Sequence, residues 1–323
     1  RTADGSRIDG PHWVPDLTEK NTLEMTYPHE DTSMVNKTKC CTLPVFLLSL
    51  LVCLFAAKGA EADELPAAEE PAQITYKENV VYGKVHGAGL LADIAFPTSD
   101  EPLPAILSVH GGRWRGGNKR DTSTIKVKQW AGFGFFAISI DYRLVGCTPA
   151  PACYQDLQCA IRYLQANARQ LNIDTKRIFL MGQSAGGHMV SLAATLGDGP
   201  FPRTGGWETA SNDFRAVISL AANYELNTLS WGQIWTPATG DAVEARRLAS
   251  PVNHVRRDMR PILILHSDND RSVPISNALM MVDALKTAGA QHTFHRYPTA
   301  GHMQVTNEVI ERALEFIEQQ SDF

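Results

Sequence analysis

The stretch IFLMGQSAGGHM (residues 178–189) runs from an apolar segment directly into glycines that flank a serine, and apolar residues then resume. A short apolar run that ends at glycine is typical of a buried strand, and the residues after it suit a helix. Gly182 and Gly186 permit a turn too sharp for side chains, which would leave the hydroxyl of Ser184 exposed in a strained backbone. The motif G-x-S-x-G at a strand-to-helix turn is the setting of a nucleophilic serine.

The segments around this turn alternate between apolar strands and helical patterns. Continuously apolar strands indicate burial on both faces, and their alternation with helices indicates a mostly parallel sheet. We therefore predict an α/β fold of the α/β-hydrolase type, with a twisted sheet and helices on both faces. An antiparallel pair at residues 73–83 and 90–98 is expected to open it. The predicted strands are residues 104–110, 135–143, 177–182, 214–222, 261–267 and 292–298, and the predicted helices are residues 154–171, 275–289 and 306–320.

A serine hydroxyl needs a general base, and the base needs a carboxylate that orients it. In enzymes with the G-x-S-x-G turn, the acid and then the histidine follow the serine along the chain. Asp268 and Asp270 follow the predicted strand at 261–267, and His302 lies in a glycine-containing loop after the last strand. Such loops meet at the carboxyl edge of a parallel sheet. A helix cap or a hydrogen-bonded surface role is the alternative for a lone aspartate or histidine.

The loop VHGGRWRGG (residues 109–117) follows the first buried strand and resembles loops that supply backbone donors to an oxyanion. We expect the N–H groups of Gly112, Arg113 and Ala185 to form this oxyanion hole, although a glycine-rich loop can also be a simple turn.

Three tryptophans, Trp114, Trp231 and Trp235, are expected to wall the substrate site by stacking and apolar contact. Trp231 and Trp235 fall in residues 223–255, where the apolar residues follow neither the helical nor the strand period. This segment is expected to form a small cap insertion over the site. The alternative is that all three tryptophans only pack the cap onto the sheet.

Residues 1–72 differ in their sequence pattern from the rest of the chain. Residues 1–33 are expected to be vector-derived or upstream sequence. Residues 34–62 have the layout of a signal peptide: lysines, an apolar run and then small residues. A short membrane anchor, a buried helix or a lipoprotein cysteine at Cys53 are the alternatives. Residues 63–72 are expected to be a linker and residues 73–323 the catalytic domain, which is then secreted or periplasmic and has no stable membrane span.

The composition argues against some classes of binding partner. The 323-residue chain has a net charge of −5 without a block of lysine and arginine, which argues against nucleic acid. We expect no metal and no organic cofactor, and a monomer or homodimer. Beyond the signal peptide the cysteines are Cys147, Cys153 and Cys159. Export favours one disulfide, most simply between Cys147 and Cys153, and three reduced cysteines are the alternative.

Five ordered motifs, spread over residues 76–317, resemble the serine esterases of the α/β-hydrolase superfamily. Within it, the chain looks like hormone-sensitive-lipase-like enzymes and like feruloyl and acetyl-xylan esterase-like carboxylesterases. The matching residues are 110–114 (HGGRW), 141–143 (DYR), 182–188 (GQSAGGH), 270–274 (DRSVP) and 301–302 (GH). The resemblance implies that Asp270, rather than Asp268, is the acid. Arg113 departs from the pattern because it stands where the family has a glycine.

The motifs together predict a carboxylic ester hydrolase with a Ser184–Asp270–His302 triad, acting on a small-molecule or oligosaccharide ester. Short acyl esters or feruloyl and acetyl esters of plant polysaccharides are the expected substrates. A peptidase similar to dipeptidyl peptidases is one alternative, and a non-catalytic binding protein of the same fold is another.

Overall fold

The protein is described by a computed structural model that covers residues 73–321. The expected upstream sequence (1–33), signal peptide (34–62) and linker (63–72) lie outside the described residues, as do the last two residues of the chain. No helix within residues 73–321 is long and apolar enough to cross a membrane.

One eight-stranded sheet forms the centre of the fold, in the order β1-β2-β4-β3-β5-β6-β7-β8. β1 pairs antiparallel with β2, and β2 pairs antiparallel with β4, whereas β3 to β8 are mutually parallel. The strands are β1 Ile74–Val85, β2 Ala88–Pro97, β3 Leu103–Val109, β4 Phe136–Ile140, β5 Ile173–Gln183, β6 Ala216–Leu220, β7 Ile262–Ser267 and β8 His292–Tyr297.

Helices cover both faces of this sheet. The helices are α1 Val127–Gly132, α2 Ala152–Ala166, α3 Ala168–Leu171, α4 Ala185–Leu196, α5 Ala242–Leu248, α6 Ile275–Ala288 and α7 Asn307–Ser321. Buried side chains of α2, α4 and α6 pack in one hydrophobic cluster, and those of α1 and α7 pack in another. Because β3 to β7 point alternate residues into each cluster, they are buried on both sides. The predicted α/β-hydrolase architecture is thereby confirmed.

The expected cap at residues 223–255 consists of short elements. They are 3₁₀ helices at Leu226–Thr228, Gly232–Ile234 and Pro251–His254, together with α5. Asp241 caps α5 because its carboxylate accepts hydrogen bonds from the N–H groups of Val243 and Glu244. The segment lies between β6 and β7, next to the carboxyl edge of the sheet.

The predicted disulfide between Cys147 and Cys153 is wrong. All three cysteines are free: Cys147 is exposed, whereas Cys153 and Cys159 are buried in helix α2. The thiol of Cys153 lies inside the hydrophobic core, where burial raises its pKa above the usual value. An exposed turn residue and a core residue therefore occupy different environments, despite their short separation in sequence.

Candidate active site

The turn between β5 and α4 holds Ser184 in a strained conformation. Its backbone has φ 53° and ψ −115°, in the left-handed half of conformational space. The N–H of Ser184 donates to the carbonyl oxygen of Leu220 at 2.8 Å, which ties the turn to β6. A side chain at Gly186 would collide with the carbonyl oxygen of Val109 in β3. Glycine is therefore required beside the serine, and the turn has the strained backbone that the motif predicts. The expected exposure of Ser184 is wrong, because the residue is only 3% exposed.

The acid and the base lie in adjacent loops and are hydrogen-bonded. His302 Nδ1 lies 2.8 Å from Asp270 Oδ2, and Asp270 Oδ1 accepts from the N–H groups of Ser272 and Val273 at 2.8 and 2.9 Å. Burial raises the pKa of Asp270, but the hydrogen bonds from His302 and these N–H groups outweigh it and leave the pKa below its usual value. Asp270 is therefore a carboxylate that can orient the imidazole and stabilise its protonated form.

Asp268, the other candidate acid, points elsewhere. Its carboxylate pairs with Arg296 at 2.5 Å on the protein surface. The structure thus places Asp270, and not Asp268, beside His302.

His266 lies behind the acid, a position that the sequence did not reveal. Its Nε2 is 2.9 Å from the carbonyl oxygen of Val273 and 3.6 Å from Asp270 Oδ2. Burial lowers the pKa of His266, which keeps the ring neutral. The ring therefore fills the space behind Asp270 and donates to the loop that carries this acid.

Ser184 and His302 line one open cleft of about 750 Å³. The side chain of His302 is 27% exposed, so the ring is held by Asp270 on one side and faces solvent on the other. Gln183 Nε2 donates to the carbonyl oxygen of Met303 at 2.9 Å, which fastens the serine turn to the histidine loop. The cleft therefore contains a serine and an imidazole oriented by a carboxylate, which are the groups that general acid–base catalysis on a bound ester requires.

The expected oxyanion loop also lines this cleft, through Gly112 and Arg113. Gly112 has φ 101° and Arg113 has φ 53°. A side chain at Gly112 would collide with the carbonyl of Gly116, so the loop is too tight for another residue there. Within the described part of the chain, no hydrogen bond occupies the N–H groups of Gly112, Arg113 or Ala185. These three donors therefore remain available to a ligand.

Tyr142, in the predicted DYR motif, supports the oxyanion loop. Its hydroxyl lies 3.2 Å from the carbonyl oxygen of His110 and 3.1 Å from that of Gly111, and its ring stacks on His110 with centroids 4.0 Å apart. Asp141 accepts from Lys119 Nζ at 2.6 Å, and Arg143 binds Asp156 at 2.7 Å. The motif is therefore structural, because it fixes the loop that carries the oxyanion donors.

The tryptophans divide into two groups, and the expected substrate contact is wrong for two of them. Trp114 is 0% exposed and Trp235 is 1% exposed, so both are core residues that pack the cap onto the sheet. Trp231 is half-buried, stacks with Arg113 at 5.3 Å, and donates from Nε1 to Ser272 O at 2.9 Å. Only Trp231 lines a cavity next to the cleft.

His188 links the oxyanion loop, helix α4 and the cap. Its Nδ1 accepts from Trp114 Nε1 at 3.3 Å, and its Nε2 lies 2.7 Å from Ala249 O. These contacts require the neutral ring with its proton on Nε2. Burial lowers the pKa of His188 to about 4, which agrees with that state.

No cluster of His, Cys, Asp or Glu that could hold a metal ion occurs within residues 73–321.

A family model with the description BD-FAE matches residues 92–285, more than half of the chain. The chain belongs to the BD-FAE family of α/β-hydrolases. The match includes Ser184 and Asp270, while His302 lies beyond it. The similarity of this chain to known proteins agrees with the geometry of the site.

Several curated relatives of this chain are named as esterases. The chain is 27% identical over 219 residues to Esterase LipC of Mycobacterium tuberculosis, covering 62% of this chain and 53% of that protein. It is 28% identical over 200 residues to the probable carboxylic ester hydrolase LipM of the same organism, covering 58% and 46%. The chain thus spans about half the length of these relatives.

Two solved esterase structures resemble this BD-FAE protein over most of their length. A truncated carbohydrate esterase from gut microbiota has a TM-score of 0.70 and 25% identity, covering 79% of this chain and 99% of that one. Esterase Est2 of Thermogutta terrifontis, bound to butyrate, has a TM-score of 0.64 and 23% identity, covering 77% and 94%. The second likeness concerns the fold alone.

Proposed function

We propose that the protein is a serine carboxylesterase that acts through an acyl-enzyme. The observation that carries this proposal is that Ser184 stands on a left-handed turn in the same cleft as His302, whose other nitrogen is bound to the ionised Asp270. The names of the BD-FAE relatives support the same activity.

The reaction follows from this arrangement. Ser184 Oγ attacks the ester carbonyl carbon while His302 Nε2 takes the hydroxyl proton, and the carbonyl oxygen becomes an oxyanion that binds the N–H groups of Gly112, Arg113 and Ala185. Collapse breaks the bond to the alcohol, which leaves with the proton from His302. Water then attacks the acyl-enzyme by the same route, and the acid is released. Asp270 stabilises the imidazolium in both steps.

We propose short acyl groups, acetyl to butyryl, as the preferred substrates, with acetyl or feruloyl esters of polysaccharides as candidates. The cleft is open, and the burial of Trp114 and Trp235 leaves these rings unavailable to line a deep tunnel. The carbohydrate esterase of similar fold supports a saccharide ester. Because Trp114 and Trp235 are buried, they cannot stack on a flat aromatic acyl group such as feruloyl. Acetyl esters are therefore better supported than feruloyl esters.

Rates on p-nitrophenyl esters of rising acyl length test this proposal. Each buried methylene contributes about 0.8 kcal/mol only where a pocket covers it, so kcat/KM should fall steeply beyond about eight acyl carbons. Ser184→Ala serves as the control for background hydrolysis. A profile that rises through laurate and palmitate would indicate a lipase and overturn the short-chain assignment.

Export is the remaining part of the proposal, and it is supported by the signal-peptide pattern of residues 34–62. Expression in a host with a secretion pathway should give a mature chain that begins near Asp63, as N-terminal sequencing would show. A chain that keeps residues 34–62 and stays in the cytoplasm would contradict it.

A further inference from the structure

Arginines surround the proposed nucleophile, although the chain as a whole has a net charge of −5. Arg113, Arg115 and Arg120 line the cleft that holds Ser184, and Asp121 is the carboxylate that lines it with them. An adjoining cavity of about 480 Å³ shares Arg113 and Ser272 with the cleft and adds Arg271.

Arg113, Arg115 and Arg271 differ from most arginines elsewhere in the described fold in having no oxygen partner within the protein. Most arginines within residues 73–321 bind a carboxylate or another oxygen, as Arg143 binds Asp156 and Arg120 binds Asp93. The exceptions in that part of the chain are Arg113, Arg115, Arg169, Arg257 and Arg271. Arg113 and Arg115 line the cleft and Arg271 lines the adjoining cavity, so three of these five arginines lie where a substrate would bind.

A second cavity beside the cleft shows the contrast. It has a volume of about 640 Å³ and also contains basic residues. There, however, Lys119 pairs with Asp141 at 2.6 Å, Arg120 pairs with Asp93 and Glu78, and Lys128 lies 4.1 Å from the centre of the Tyr76 ring. Two of the four basic residues in that cavity are therefore paired with carboxylates, whereas Arg113, Arg115 and Arg271 have no carboxylate partner.

Arg113 connects the two arginine-lined cavities. It is half-buried, and its guanidinium stacks on Trp231 at 5.3 Å, which limits the positions that the side chain can take. Its φ of 53° is a conformation in which glycine would be less strained, so the loop keeps a long cationic side chain at an unfavourable backbone position. Guanidinium groups are suited to carboxylates because they donate two parallel hydrogen bonds.

We propose that Arg113, Arg115 and Arg271 form an anion subsite, and that the protein acts on esters that carry a carboxylate close to the scissile bond. This inference rests on the proposed function, because it assigns a substrate class to the same site. The anion binds between the oxyanion loop and the loop after Asp270, within reach of the acyl-enzyme. The carboxylate belongs either to the acyl part or to the alcohol part of the ester.

Two pairs of esters, each an anion and its neutral amide, test the subsite. 4-Acetoxybenzoate and 4-acetoxybenzamide place the charge in the alcohol part, and monoethyl adipate and ethyl adipamate place it in the acyl part. For the protein at low salt, kcat/KM should favour the anion about tenfold in one pair, because charge-assisted hydrogen bonds are added. The preference should shrink in 0.5 M NaCl, since these groups are solvent-accessible. The pair that responds identifies the charged part of the substrate.

Matched variants separate this subsite from the general charge of the protein. Arg115→Gln/Arg271→Gln should reduce the anion-to-amide ratio severalfold, because only Arg113 of the three arginines remains. The control Arg169→Gln/Arg257→Gln removes two unpaired arginines that precede β5 and β7, at the opposite end of these strands, and should keep the ratio. Both variants should show the unfolding temperature of the parent protein, so that a changed ratio reports on binding.

The outcomes are distinguishable. Turnover of p-nitrophenyl acetate and of both amides without any preference for the anions would overturn the subsite and leave the esterase proposal intact. The same conclusion follows from an anion-to-amide ratio that is unchanged in Arg115→Gln/Arg271→Gln. Absence of turnover on every ester, charged or neutral, would reject the proposed function and the subsite with it.

Discussion

Two neighbouring regions use the same residue types for different purposes. In the cluster of Trp114, His188 and Trp235, the imidazole is fully buried and both ring nitrogens have partners inside the protein. In the cleft, the ring of His302 has one nitrogen on Asp270 and its other side in solvent. An imidazole acts in proton transfer only when one nitrogen is left to the substrate. A ring that keeps one side open to solvent, rather than proximity to the serine, therefore distinguishes His302, the proposed general base, from His188.

Removal of the nucleophile should produce the largest effect and leave the buried cluster untouched. Ser184→Ala is expected to lower kcat by up to ~10⁶-fold, because the acyl-enzyme can no longer form. The smaller side chain is compatible with the turn, so urea unfolding should match that of the parent protein. Residual activity above a few per cent in clean protein would refute the nucleophile assignment.

Removal of the charge on the acid should have the next largest effect. Asp270→Asn is expected to reduce kcat by about 10⁴-fold, because the amide favours the wrong tautomer of His302. Asp268→Asn is the control two residues away, and it loses only a surface pair with Arg296. Steady-state kinetics in which Asp268→Asn is the more damaging change would reassign the acid.

Substitutions in the cluster of Trp114, His188 and Trp235 should, in contrast, lower the stability of the fold. Trp114→Ala removes a fully buried ring and is expected to cost about 3–5 kcal/mol of unfolding free energy in urea titration. Trp231→Ala removes a half-buried ring beside the cleft and should cost less stability but raise KM. Similar losses of stability for the two variants would mean that the division of the tryptophans is wrong.

The smallest expected effect is a dependence of stability on pH. The pKa of His188 falls from 6.5 to about 4 on folding, so the unfolded chain binds more protons between these values. Folding stability should therefore be fully present above pH 6.5 and decline as the pH falls towards 4, by about 3 kcal/mol from this ring.

His188→Gln should flatten that part of the profile, measured by urea unfolding at pH 4.5 and pH 7. The same acid-side decline in the variant would exclude His188 as its source.

The fold and the placement of Ser184, Asp270 and His302 at strand ends were predictable from the sequence because they depend on local patterns. The apolar runs of β3, β5, β6 and β7 lie between glycines and loops, and the order of serine, acid and histidine places each at the end of a strand. The strained turn at Ser184 follows from glycines only two residues away. These signals are contained within short segments, so a single chain is sufficient to find them.

The environments of the tryptophans and of His188 depend on contacts far apart in sequence. His188 meets Trp114 across 74 positions and Ala249 across 61. A tryptophan beside a glycine-rich loop has the same local pattern whether it faces substrate or the core, and only the docking of the cap decides between them. The predicted disulfide between Cys147 and Cys153 was wrong for a similar reason, because spacing alone cannot show that Cys153 points into the core. The role of His266 behind Asp270 likewise appears only once the loops are in place.

Reaction with a fluorophosphonate, followed by peptide mass spectrometry, tests the central claim most directly. The reagent is attacked only by a serine whose hydroxyl is activated by a base, so the account predicts a single adduct on Ser184 in the folded protein. The adduct should form far more slowly in His302→Gln and should be lost on unfolding. An adduct on another residue, or ester hydrolysis that persists with Ser184 unmodified, would contradict the assignment of Ser184, His302 and Asp270 as one catalytic unit.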